Sequence, residues 1–183
     1  VTGTRRWDDA IIDVATVPPS GIFVSLSAGK SDRRAIADRL QLPAVEDCTA
    51  TFSIRPQPGR GTLIEGRLSA RLVRRCVVTG DPMDERIDQS VDCLVVAEEP
   101  ASPEDDVEEE TDYEVAPDGR VDLAELAVQL LAVSMTAYPR GPGADEAVAA
   151  FEAPAAEIPD NPFAGLGARM GMTAGEDGDD EGC

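Results

Sequence analysis

RLSARLVRR places Arg67, Arg71, Arg74 and Arg75 within nine positions of a 183-residue chain whose formal net charge is -20. Grouped guanidinium groups in so acidic a chain support two chemistries: pairing with carboxylates across a sheet, or contact with the phosphates of a nucleic acid. Residues 55–86 carry seven arginines against four acids, a local excess that keeps the second chemistry open. The charge of the whole chain opposes it, because an acidic protein repels a phosphate backbone at long range.

The other reactive residue types narrow the field further. There is no histidine, which excludes a Ser-His-Asp or Cys-His triad, histidine-ligated zinc and any imidazole acid or base. No GxGxxG, GxxxxGK[ST] or GxSxG motif is present. Cys48, Cys76, Cys93 and Cys183 are separated by 28, 17 and 90 positions, which fits neither a CxxC pattern nor a dense disulfide framework. The first three read as reduced thiols packed in strands, and Cys183, at the end of GEDGDDEGC, as an exposed one. Most carboxylates lie in charge runs that stay solvated. No active site is visible, and no cofactor or metal is expected.

The elements that must hold the arginines follow from alternation. Ile22, Val24 and Leu26 share one face of GIFVSLSAG, and Cys48, Ala50, Phe52 and Ile54 share one face of CTATFSIR. After a turn at PQPGRG, Ile64, Leu68, Ala70, Leu72 and Cys76 fall on one side, with Glu65, Arg67, Ser69, Arg71 and Arg75 on the other. TGDPMD turns the chain again, and Ile87, Val91, Cys93 and Val95 form the apolar face of the returning strand. Ser31 is the expected N-cap of a helix over DRRAIADRLQL, and Asp122 with Glu125 opens a second helix with a capping-box-like start and a broad apolar stripe from Leu123 to Ser134. The expected fold is α+β: an antiparallel meander or barrel-like sheet covered by two helices, with an acidic loop and a disordered C-terminal tail.

Closing the hairpin with a four-residue turn over residues 80–83 sets Arg71 opposite Asp92, Arg75 opposite Asp88 and Arg74 opposite Gln89. Leu72 then meets Val91 and Cys76 meets Ile87 on the apolar side. In this register Arg55, Arg60 and Arg67 have no equally obvious partner, which makes Arg60 and Arg67 the candidate contacts for RNA.

Charge divides the chain sharply. Residues 1–86 hold 13 Lys and Arg against 11 Asp and Glu, whereas residues 87–183 hold 3 against 25. Residues 98–119 alone contain eleven acids, no base and three prolines, and self-repulsion should hold them open as a loop. We therefore expect one domain over residues 1–140 and a mostly disordered acidic tail over 141–183. The start VTGTRRWDDA lacks the apolar core of a signal peptide and no run approaches the ~20 apolar residues that span a bilayer, so a soluble, cytoplasmic protein without membrane contact is expected.

The order of several short pieces is distinctive: a strand ending CVVTGDPM, a return strand with DCLV, an acidic loop, YEVAPDGRVDLAELAVQLLAVSMTAYPR and a late NPFAGL. Over roughly residues 20–166 this order resembles the YceD family, bacterial proteins linked to accumulation of large-subunit ribosomal RNA, with relatives in plastids. Many members carry CxxC at the strand end; here Cys76 matches the first cysteine and Thr79 stands at the second, so a metal site carried over would lack a ligand. The resemblance implies a non-enzymatic role in ribosome biogenesis, with the large-subunit precursor or a basic ribosomal protein as partner and direct RNA contact as a further option. An acidic interaction adaptor unrelated to ribosomes is the alternative. In the tail, Asn161 and Pro162 can start a short helical turn that brings Phe163 and Leu166 to one side, a candidate docking element for the partner.

Overall fold

A computed structural model describes residues 2–97 and 112–152. The chain divides into two units, Val1–Ala144 and Asp145–Cys183. In the first, β1 (Thr2–Arg6), β2 (Ile11–Asp13), β3 (Ile22–Ser27), α1 (Lys30–Leu40), β4 (Ala44–Gln57), β5 (Gly61–Arg75), β6 (Pro82–Val96), β7 (Asp112–Val115), β8 (Arg120–Asp122) and α2 (Leu123–Ser134) follow in order. A third helix, α3 (Ala144–Glu152), falls within the segment read as tail, with Asp145 and Glu146 in its first turn, where the helix dipole favours acids.

Six strands form one sheet in the order β1-β3-β4-β5-β6-β7, and β2 and β8 form a separate antiparallel pair. Successive strands β3 to β6 are antiparallel neighbours, but β1 runs parallel to β3 and β7 parallel to β6. The fold is thus α+β with a mixed, open sheet. The barrel-like alternative fails because β1 and β7 are edges that do not meet, and β7 arises inside the segment 98–119 that charge alone assigns to a loop, with β8 directly after it.

Alternation predicts the core. Phe52, Ile54, Ile64, Leu68, Leu72, Leu123 and Leu131 are all fully buried. One face of β3 to β6 is buried in the core, with α2 against β5 and β6 and α1 against β4, and the β2–β8 ladder fixes where α2 begins: the Leu123 N–H donates to the Ala10 carbonyl at 3.2 Å. Asp122 is the N-cap as expected, accepting from the N–H groups of Ala124 at 2.9 Å and Glu125 at 3.2 Å. Glu125 does not close a capping box; its carboxylate grips Arg39 of α1 at 2.5 and 2.6 Å and so ties the two helices. At α1 the N-cap is Gly29 rather than Ser31, because Asp32 reaches back to accept from the Gly29 N–H at 2.8 Å.

Long strands need one close approach. Gly66 of β5 stands between Phe52 and Val91, and a Cβ there would lie 1.9 Å from the Thr51 carbonyl oxygen, so only glycine lets β4 and β5 meet at this point.

Candidate interaction surface

The face of the sheet opposite the core carries Ser53 and Arg55 from β4, Glu65, Arg67, Ser69 and Arg71 from β5, and Asp84, Arg86, Asp88, Ser90 and Asp92 from β6. The observed register pairs Arg71 with Arg86, Arg75 with Pro82, Ser69 with Asp88 and Glu65 with Asp92. The expected pairs Arg71–Asp92 and Arg75–Asp88 are therefore not formed, and Arg74 faces Met83 rather than Gln89. The reason is the turn: β5 ends at Arg75 and β6 starts at Pro82, so six residues form the loop instead of four. Both registers give an odd sum of paired numbers and bury the same apolar set, so the alternation cannot choose between them.

Arginines in the body of this face are closed by carboxylates. Arg55 pairs with Glu65, and Arg67 meets Asp88 through both ends of its fork, Nε at 2.5 Å and a terminal nitrogen at 2.9 Å. The hydrogen bond from Arg67 and its charge hold the Asp88 carboxyl below its ordinary range. Partners thus exist for two of the arginines that lacked one in the expected register. Arg71 reaches Glu46 at 3.5 Å, and the irregularity between Val45 and Asp47 in β4 is what brings Glu46 into play.

Arg74 turns to the other face. Its guanidinium donates to Glu85 at 2.6 Å and to the Thr136 carbonyl at 3.1 Å, while the Thr136 N–H donates to Glu85 at 2.8 Å. The side chains of this pair are only 13% and 10% exposed. Burial pushes the Glu85 carboxyl up, but hydrogen bonds from Thr136 and the Arg74 charge outweigh it and leave the group below its ordinary value. The segment after α2 is thereby clamped to the hairpin end.

That end behaves differently from the body. Arg71 and Arg86 are direct cross-strand partners, Arg75 donates only to the Gly80 carbonyl at 3.1 Å, and no carboxylate pairs with Arg75 or Arg86 among the described residues. The loop over residues 76–81 wraps the Cys76 sulfur. The Thr79 N–H lies 3.4 Å from it, the Gly80 N–H donates to the Cys76 carbonyl at 2.9 Å, and Gly80 takes a φ of 76°. Hydrogen bonds from the Thr79 hydroxyl and from the N–H groups of Gly141 and Thr79 lower the Cys76 thiol to about 6, against the effect of its burial. Cys48, by contrast, is pushed up to about 12 by burial, with the charge of Asp47 adding to it. Cys76 is buried as expected, yet it is no inert core thiol; the signal was Thr79, three residues on, whose hydroxyl stands where a second cysteine would.

A metal does not fit here. The Cys76 sulfur is surrounded by N–H and O–H donors, and among the described residues no three His, Cys, Asp or Glu side chains converge. Arg60 sits in the β4–β5 turn, its N–H donating to Gln57 at 3.0 Å, and lines an open groove of about 730 Å³ with Thr62, Val95 and Asp118. The structure does not bring Arg60 and Arg67 together in one site. Asn161, Pro162, Phe163 and Leu166, like Cys183 and residues 98–111, lie outside the described residues.

Comparison with known families decides the lineage: residues 64–168 match the family described as Large ribosomal RNA subunit accumulation protein YceD. This chain belongs to the YceD family. The match begins inside β5 and takes in the β5–β6 hairpin, the Cys76 loop and α2, whereas β1 to β4 precede it. The earlier resemblance from residue 20 thus reaches further toward the N-terminus than the YceD match does. No curated protein and no solved structure matches this YceD chain.

Proposed function

We propose that this YceD protein supports accumulation of large-subunit ribosomal RNA as a non-enzymatic, cytoplasmic assembly factor that binds a basic protein of the subunit precursor through its acidic segments. The observation that carries this reading is the closure of Arg55 and Arg67 by Glu65 and Asp88. With the body of the sheet face neutralised and 25 acids against 3 bases beyond residue 86, a cationic partner is the electrostatic match. Among the described residues the resolved carboxylate shifts, at Glu85, Asp88 and Glu125, all run downward, the opposite of what a general acid at neutral pH needs. No helix among the described residues is long and apolar enough to cross a membrane.

The test is sedimentation of the tagged chain through a sucrose gradient. It should comigrate with large-subunit precursors and leave them when salt is raised or when residues 98–112 are deleted. Replacing Phe163 and Leu166 with alanine should weaken comigration while the melting temperature holds, if the tail motif adds to docking. Sedimentation at the top of the gradient under every condition would instead support an adaptor unrelated to ribosomes.

A further inference from the structure

The hairpin end of β5–β6 combines three features that the acidic-segment reading does not use. The first is charge left open: Arg75 and Arg86 have no carboxylate partner among the described residues, and Arg71 holds Glu46 only at 3.5 Å. The second is spacing. Arg71 and Arg86 face each other directly, a like-charged pair that costs stability unless an anion sits between them, and Arg75 follows four residues on along the same face. The third is an aromatic group: Tyr138 is 77% exposed, and its chain neighbours Ala137 and Pro139 line a groove of about 380 Å³ with Arg74, Arg75, Val77 and Leu42, so that Arg75 at the strand end is the link between this segment and the Arg71–Arg86 face. The Val77 N–H donates to the Pro139 carbonyl at 2.9 Å, so this segment is fastened to the hairpin loop.

We propose that this hairpin end is a contact for single-stranded RNA, in which Arg71, Arg75 and Arg86 take backbone phosphates and Tyr138 stacks on a base. Arginines alone would serve an acidic polypeptide equally well; the exposed tyrosine ring favours a ligand that has π-faces as well as anionic charge. Asp84, opposite Val73 on the same face, opposes the contact and limits it to a short stretch of chain. The site is separate from the acidic segments and does not depend on them.

Fluorescence anisotropy of a labelled dodecauridylate with the full chain tests it. Three phosphate contacts give a log–log salt slope of about -2 between 50 and 200 mM KCl, and Arg75→Ala with Arg86→Ala reduces it to about -0.7. Tyr138→Ala weakens binding roughly ten-fold and leaves the slope, while Tyr138→Phe restores affinity. Asp84→Asn tightens binding. Arg55→Ala and Arg67→Ala, whose guanidinium groups are already closed, change neither quantity. Failure of the full chain to bind the oligomer, an equal loss in the Arg67→Ala protein, or competition by polyglutamate as strong as by RNA would overturn the proposal. Comigration with ribosomal precursors that survives the Arg75/Arg86 double change is no defence of it, and bears only on the acidic segments.

Discussion

The two ends of the β5–β6 ladder treat arginine in opposite ways. Toward the middle, Arg67 has Asp88 on a diagonal and Arg55 has Glu65, and each cation is closed. Toward the turn, Arg71 looks across at Arg86 and Arg75 at Pro82. Both stretches have the same alternation and much the same composition. What separates them is which residue the register sets opposite, so whether an arginine is structural or available is a property of pairing and not of sequence density.

Substitutions at the two ends sharpen that contrast. The largest effect is expected where the pair is buried: Arg74→Ala strands Glu85 beneath the segment after α2 and should cost about 3 kcal/mol in urea unfolding, the lower end for a broken buried pair because the Thr136 N–H remains. At neutral pH, where only part of the interval between its two titrations has been crossed, a milder effect comes from Cys76. Its thiol titrates near 6 in the fold against 9.0 for an ordinary thiol, so between those values the unfolded chain holds a proton that the native chain has lost. Stability from this group should therefore rise as pH climbs from about 6 to about 9 and vanish as pH falls through 6, and Cys76→Ser should flatten that part of the profile. Cys48 has the opposite sign, its contribution complete below 9 and lost as pH rises toward 12. A small thiol reagent should accordingly label Cys76 well before Cys48 at neutral pH.

Smaller still, Arg67→Ala should barely move the urea midpoint, since both partners are more than half exposed and solvent screens the pair. At the turn end the sign reverses. Arg86→Glu converts a like pair with Arg71 into an opposite one and should stabilise the fold by roughly 0.2–1 kcal/mol. Equal destabilisation by Arg67→Ala and Arg86→Glu would erase the distinction between the two ends.

Much of the architecture was legible because period-two burial is a local property. The apolar faces of β3 to β6, the Asp122 cap and the stripe of α2 all follow from side chains a few positions apart. What was not legible depends on matching distant segments. Two registers six apart in their pair sum satisfy the same parity, and only the loop around the Cys76 sulfur selects between them. Parallel pairing of β1 and β7 leaves no turn signal, since their partners do not follow directly in sequence. The candidate site suffered most from this: Arg67 was expected open and is closed, while Arg75 was expected closed and is open, both consequences of the one register.

The two parallel border strands also bear on how the protein folds. β4, β5 and β6 are joined by the 58–60 turn and the 76–81 loop, so their ladders can close outward from tight turns. β1 and β7 have no tight turn to close on and add ladders of only five and four residues to a sheet edge that must already exist. β4, β5 and β6 should therefore assemble first and the border strands dock late. In the folded protein the same asymmetry would appear in amide exchange, with β1 and β7 opening to solvent in local excursions that leave β4 and β5 protected until the whole domain unfolds.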